Sequence, residues 1–530
     1  MARRRSRLFV PTGGAIAWIL GMMAVGPLVG GDPVQVAAQT VIEAAPGPVA
    51  TWAIETFGSY AQPLLMIGVS AGIVAAGAGF GLLTARVDPG PRRRLQVAYA
   101  VALALVLTTG GGFYVAGGGI STRWMLATIL SIVPPGVVWW AAAGARTRPL
   151  GRRRALRQMG LAGGTVVAGG TVARLLAGSA PREGVQPGEA LDPVEEKTET
   201  GTTTPTPTAT SGRDDVETRS ETEGVVVSSS GSDEAFGFDF EGMPALVGSA
   251  ADHYVVDKNV SPPRVDTDAW SLSIEGAVED GREYTFEELR THPDRREMTV
   301  TMVCISNTVG GNLIGTTDWV AIPVRTLLED AGVTEAAVDV VTRAADGYSE
   351  AIPWSVVRER EDIVLAVGMD GKTLPAEHGF PARLLIPGRY GMKSTKWVTD
   401  FELATEDHEA YWEQRGWDEE AVVNTLSYVR AVQRRGDRVA IGGIAYAGVR
   451  GIERVEVSVD GGSTWADATL EDPVSPHARR RWRYVLERSD SGPLDVFVRA
   501  TDGEGERQTS SRSPPHPGGS TGWHSVTVSL

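Results

Sequence analysis

The 530 residues contain one cysteine, Cys304. That excludes a disulfide within the chain and any zinc site built from several thiolates. It also excludes a CxxCH haem attachment, which needs two. Taken alone, a single cysteine reads as a small buried hydrophobe. Lysine is nearly absent, occurring at Lys197, Lys258, Lys372, Lys393 and Lys396 and nowhere else, so arginine carries most of the positive charge. No histidine lies in residues 1–180, which excludes haem held by two histidines there. From residue 236 onward there is no Gly-rich dinucleotide fingerprint. Acid is scarce in 1–180, and nearly all Asp and Glu follow residue 182, although the formal net charge is −15. The acidic half is therefore the half without long apolar runs, and a nucleic-acid partner is not expected. An acidic, lysine-poor, Thr-rich surface suits a high-salt habitat.

Residues 1–180 hold apolar stretches near 13–30, 60–84, 95–118, 123–145 and 158–178, against the roughly 20 residues a helix needs to cross a bilayer. Arginines cluster in alternate loops: Arg3, Arg4, Arg5 and Arg7; Arg86 and Arg92–Arg94; Arg146, Arg148, Arg152–Arg154 and Arg157. The intervening loops, 31–58 and 119–122, carry no Lys or Arg. This alternation predicts a multi-pass anchor in the cell membrane with a cytoplasmic N-terminus and everything after residue 180 outside the cell. The Arg152–Arg154 run before an apolar segment also reads as a twin-arginine export signal. Residues 181–235, with TGTTTPTPTATSG and acidic flanks, read as a disordered linker.

Later segments carry a core. DAWSLSIEGAV (268–278) alternates as a half-buried strand, and YTFEELRTH (284–292) reads as a helix opened by a Thr285/Glu288 capping box. MTVTMVC (298–304) is a buried strand ending at the cysteine, VRTLLEDAG (324–332) a helix closed by Gly332, and ARLLIPG (382–388) a further strand. After 425 the pattern is short strands and turns, with Asp460-Gly461-Gly462 as a hairpin signal. The predicted fold is N-terminal transmembrane α-helices (1–180), the linker (181–235), an α+β domain (236–424), and an immunoglobulin-like β-sandwich (425–530).

Several segments resemble the sulfite oxidase family of molybdopterin enzymes in order and spacing: VDTDAWSLSIEGAV, TVTMVCISN, GTTDWVAIPVRTLLEDAGV, GYSEAIP, LAVGMDGKTLPAEHGFPARLLIPGRYGMKSTKW, VEVSVDGGSTW and GWHSVTV. The resemblance covers about 250–530, and the whole arrangement looks like the membrane-anchored archaeal and actinobacterial type. It implies a sulfite-oxidase-like molybdopterin domain at 236–424 and a dimerisation domain at 425–530. Molybdenum takes soft thiolate sulfur, and the resemblance makes Cys304 its protein ligand. It assigns His378, Arg383 and Lys396 to the phosphate region of the pterin, with Lys393, Ser394 and Thr395 beside them. Asp346, Lys258 and Asn259 are further cofactor contacts, and Asn307 lies near the metal.

The resemblance breaks down in the substrate pocket. Family arginines are replaced at Asp257, in CISNTVGGNLIG and near His516, and the family tyrosine aligns with Trp417. A pocket without these cations should hold a dianion poorly. The implied activity is oxo transfer by the molybdenum cofactor, sulfite-oxidase-like, with no haem evident in the chain. A separate cytochrome or blue-copper protein is expected as electron carrier, and a homodimer through the C-terminal domain. The alternatives are reduction of S-oxides or N-oxides on the same fold, or a non-catalytic extracellular binding protein.

Overall fold

The computed structural model describes residues 38–39, 41–42, 64–69, 71, 185–194, 225–228, 236–259, 261–490 and 492–529. The chain divides into two compact units, 1–183 with 257–264, and 184–256 with 265–530.

The first unit corrects the membrane expectation. Among the described residues no helix is long and apolar enough to cross a membrane. The stretches 13–30, 95–118, 123–145 and 158–178 lie outside the described residues, as does Arg152–Arg154. Of 60–84, residues 64–69 and 71 are described, as helix, and the remainder lies outside the described residues. The transmembrane anchor, and the extracellular placement that followed from it, are therefore withdrawn.

The second unit is mostly β, a further correction to the α+β expectation. Its α-helices are α1 (Phe286–Arg290), α2 (Val324–Glu329) and α3 (Trp354–Glu359), each five or six residues long. Thr285 and Glu288 close both bonds of the capping box on α1. The other two helices follow an Ile-Pro step, at Ile322-Pro323 and Ile352-Pro353. Proline cannot donate to a ladder, so it ends the strand and turns the chain into the helix.

Two sheets build the N-terminal half of this unit. One orders β10 (Arg383–Leu385), β8 (Val364–Met369), β5 (Ile314–Pro323) and β4 (Arg296–Val303), with β9 (Lys372–Thr373) on β8. The other orders β3 (Arg282–Thr285), β2 (Ser271–Gly276), β11 (Val398–Ala404), β6 (Asp339–Ala344) and β7 (Ser349–Pro353). Leu272, Trp319, Ile322, Leu365 and Phe401 share the buried core of both. Residues 185–194, in the stretch read as linker, pack here: Glu189 N donates to Thr373 Oγ1, and Leu191 touches the core.

The C-terminal half is a sandwich. Its five-stranded sheet orders β1 (Val226–Ser228), β12 (Leu426–Arg435), β13 (Arg438–Tyr446), β17 (Arg480–Glu487) and β16 (Thr469–Leu470). Its four-stranded sheet orders β15 (Ala466–Asp467), β14 (Ile452–Ser458), β18 (Leu494–Asp502) and β19 (His524–Val528). Val429, Ile441, Val455, Trp482 and Val496 fill the space between. The immunoglobulin likeness goes no further than two sheets face to face. Strand β1 comes from far upstream and pairs parallel with β12, Val226 opposite Ala431.

Candidate active site

Strand β4 delivers the cysteine. Its outer end is partly exposed and its last four residues are buried, so the strand runs inward to the site. Val303 pairs with Ile314 of β5, and Cys304 N donates to Leu313 O at 3.0 Å. The ladder thus closes immediately after the cysteine, leaving a loop whose two ends are pinned. Cys304 is buried, and its Sγ lies 3.0 Å from Ser306 Oγ. Burial pushes the thiol pKa up, while the Ser306 hydrogen bonds and the Lys396 charge pull it down.

The C-terminal sandwich holds the loop that follows. Arg430 of β12, buried, donates to the carbonyls of Gly310 at 2.7 Å and Gly311 at 2.6 Å and to Asn312 Oδ1 at 3.2 Å. Burial lowers its pKa to about 10. Asn307 Oδ1 accepts from Leu313 N at 3.0 Å, and Asn307 Nδ2 donates to the Tyr428 hydroxyl at 3.3 Å. Ser520 Oγ donates to Asn307 O at 2.7 Å. Asn307 therefore shapes the loop from within. Trp417 is buried in one apolar cluster with Val303 and Ile305, the residues on either side of Cys304. Its ring meets that of His516 at 5.0 Å.

A basic group gathers at Gly379. That residue has φ +114°, and a Cβ there would sit 3.1 Å from Lys396 Cα and 3.2 Å from Arg383 Cβ. Glycine's freedom is what lets three basic residues converge. His378 Nε2 lies 3.0 Å from Ala250 O, Arg383 Nη1 donates to His378 O at 3.3 Å, and Lys396 Nζ donates to Glu377 O at 3.0 Å. All three side chains are buried. Burial, then the Arg383 charge, lowers the His378 pKa to about 4. His253 meets His378 edge-on at 5.5 Å, and its pKa falls to about 3 for the same reasons in the same order. Two neutral histidines beside fixed cations mark a region of positive potential.

The remaining expected residues divide. Ser394 Oγ accepts from Ile386 N at 3.4 Å, and Thr395 Oγ1 lies 2.7 Å from Thr342 Oγ1, so both brace the segment leading to Lys396. Lys393 turns elsewhere: its ammonium donates to Glu350 and Glu413. Asp346 caps a hairpin by accepting from Tyr348 N at 2.9 Å. Lys258 and Asn259 belong to the first unit, where Asn259 N donates to Asp257 Oδ1 at 2.7 Å.

Sequence reading missed His253, Tyr254, Glu350 and Arg430. His253 Nε2 and the Tyr254 hydroxyl are buried without hydrogen-bond partners among the described residues. A buried polar atom left so is costly unless another group satisfies it. An unpartnered buried hydroxyl, buried cations and one thiol suit a phosphate-bearing organic group carrying a soft metal. Among the described residues no group of three or more His, Cys, Asp or Glu could hold a metal ion. One protein thiolate completing a metal already held by its carrier agrees with that donor set. The residues fit.

Comparison with known proteins bears on the same segments. Residues 259–412 match the oxidoreductase molybdopterin binding domain, and residues 413–509 the Mo-co oxidoreductase dimerisation domain. The NADH nitrate reductase of Solanum lycopersicum is 27% identical over 320 residues, covering 47% of this chain and 35% of that protein. Inducible NADH nitrate reductase 2 of Glycine max is 28% identical over 317 residues, with the same coverage of 47% and 35%. The chain thus spans about a third of the length of these curated relatives. The solved sulfane dehydrogenase SoxCD from Paracoccus pantotrophus is 24% identical, covering 51% of this chain and 78% of that one, with a TM-score of 0.46.

Proposed function

Because this chain belongs to the sulfite oxidase family of molybdopterin-dependent oxidoreductases, we propose that it transfers oxygen atoms at a molybdenum centre anchored by Cys304. Bound here, the molybdenum cofactor supplies two-electron oxygen-atom exchange with water. The chain's part is to bind, orient and shield. Cys304 must lose its proton to ligate a metal, so loading is coupled to proton release. Burial opposes that loss and Lys396 favours it. Arg383 and Lys396 would hold the phosphate, charge-assisted donors being the strong ones for such a group, with the neutral His378 beside them as part of the same pocket. Arg430 and Asn307 keep the loop after Cys304 closed, and Trp417 packs against the residues on either side of Cys304 through the cluster it shares with Val303 and Ile305, where it would wall the substrate's approach.

Sulfite oxidation is the first reading of the reaction, carried by the family. The likeness to nitrate reductases favours a second, reductive one, with an N-oxide or S-oxide as oxygen donor. A separate electron carrier, a cytochrome or a blue-copper protein, would serve either direction. The match of 413–509 to a dimerisation domain supports a homodimer.

The observation that carries this reading is the buried Cys304 thiol on the strand end, with Lys396 close enough to act on it electrostatically and Arg383 beside Lys396. Its test is molybdenum and pterin content of the purified chain and its Cys304→Ser variant, followed by assays of sulfite, nitrate and S-oxides with artificial carriers. The native chain should carry one equivalent of each, and the variant should lose the metal. A native protein devoid of both, expressed where the cofactor is made, would make it a binding protein instead.

A further inference from the structure

Beneath the segment leading to Lys396 lies a charge cluster that plays no part in the chemistry above. Lys393 and Glu350 are 4% and 0% exposed, and the Glu413 side chain is 7% exposed. Lys393 Nζ donates to Glu350 Oε1 at 2.7 Å, to Glu413 Oε1 at 2.5 Å and to the Ala351 carbonyl at 3.1 Å. Its three protons are all used. Glu350 Oε1 also accepts from Ala351 N at 3.1 Å, and Oε2 accepts from the Tyr348 hydroxyl at 3.0 Å. That hydroxyl also lies 2.8 Å from the Met392 carbonyl. Glu413 Oε2 accepts from Ala410 N at 2.7 Å.

The acids outnumber the base. With both carboxylates ionised, one negative charge is left over in an interior that solvates it poorly. Burial foremost, with the Glu413 charge adding to it, outweighs the pull of Lys393 and raises the Glu350 pKa to about 7. The charged or titratable groups facing Glu350 are Lys393 from the 3-10 turn Gly391–Lys393, Glu413 from the 3-10 turn Glu413–Arg415, and Tyr348 with Asp346 behind it from the β6–β7 hairpin.

The cluster sits where it can be felt. Its lysine ends the turn Gly391–Lys393, whose other face meets the cysteine strand. A Cβ on Gly391 would lie 2.7 Å from the Tyr254 hydroxyl and 3.4 Å from the Val303 carbonyl, one residue before Cys304. On the far side, Thr395 is tied to Thr342, which also donates to Glu350 O at 3.4 Å.

We propose that Lys393, Glu350 and Glu413 form a proton-dependent lock that positions the 391–396 segment, and through it the cofactor's hold on the protein. With one proton aboard, the cluster is neutral and closed, and the turn is fixed against Val303. Without it, the surplus buried charge draws in water or a cation, and the turn loosens. Lys393 and Glu350 are thus positioning residues, acting through Ser394, Thr395 and Lys396. The part of this concerning cofactor retention rests on the proposed function; the part concerning the turn does not.

The test uses the full chain and three readouts between pH 5.5 and 8.5: amide hydrogen exchange over 389–397, expressed relative to the intrinsic chemical exchange rate at each pH, the infrared band of a protonated carboxyl, and, where cofactor is present, its rate of release. In the native chain exchange and release should rise several-fold with increasing pH, and the band should vanish over the same range, near neutrality. Glu350→Gln, which keeps the shape without the charge, should flatten the exchange and release profiles at their low-pH values and remove the band. Should that variant fail to fold, Glu413→Gln serves, because removing the surplus acid should move the whole profile to lower pH. Native-like pH dependence in the variant that folds would overturn the lock. Absence of cofactor from the native chain would overturn the proposed function instead, with the exchange data still deciding the lock.

Discussion

Lys393 and Lys396 stand three residues apart in one segment, and the fold gives them opposite surroundings. Lys393 is enclosed by two carboxylates and a carbonyl, and although burial opposes its charge, Glu350 and Glu413 hold its pKa above the usual value. Lys396 lies against the Glu377 carbonyl and the face of Trp397, 4.5 Å from the ring centroid, and pulls down the pKa of the Cys304 thiol. One lysine neutralises the protein's own acids, so its loss should be felt first in stability, and in binding only indirectly, through the position of the 391–396 segment. The other acts on the site, so its loss should be felt in binding. Neighbouring residues of one type, in a lysine-poor chain, can therefore not be assigned one role from their proximity.

The comparison breaks first at Lys393. Lys393→Met leaves two buried carboxylates without their cation, a change that typically costs about 3–5 kcal/mol. A large fall in Tm is expected by calorimetry, with Lys396→Met falling far less. Equal losses in the two variants would erase the distinction. Lys396→Met should instead weaken cofactor retention by roughly 10–100-fold, the range for groups supporting a metal centre. It should also raise the Cys304 thiol pKa, read from the pH dependence of alkylation in cofactor-free protein.

A more local effect is expected at Arg430, which braces the cysteine loop from the other side. Arg430→Met removes two charge-assisted bonds to Gly310 and Gly311, each of the type worth about 1.5–3 kcal/mol. Faster hydrogen exchange in 305–313, without change in 389–397, would show that the loop and the turn are braced independently.

How much of this could be read in advance depends on chain separation. The run 298–304 shows in sequence as a β-rich apolar stretch ending in the lone cysteine, and β4 ends there. The capping box at Thr285 and Glu288 is equally local. His378, Arg383 and Lys396 came from resemblance, and the fold groups them because Gly379 permits close approach. The partners that decide roles are remote: Glu350 is 43 positions from Lys393, and Arg430 is 120 from Gly310. No periodicity links such pairs. The membrane expectation fails on a different ground: among the described residues no helix is long and apolar enough to cross a membrane.

The finest test of the contrast is the titration of His378. Its folded pKa of about 4 lies below the ordinary 6.5, through burial, Arg383 and, further down, Lys396. The folded state therefore binds fewer protons than the unfolded chain between those values, so this histidine contributes stability above pH 6.5 that is lost as pH falls toward 4. Removing a nearby positive charge makes protonation easier, so Lys396→Met should raise the His378 pKa, by less than a full unit since Lys396 is the smallest of the named causes. Lys393→Met should leave it where it is, because that charge is absorbed by Glu350 and Glu413. Ring-proton NMR of selectively labelled histidine resolves the two. A shift in both variants, or in Lys393→Met alone, would mean that the two lysines share one electrostatic environment and that the division of labour drawn between them is wrong.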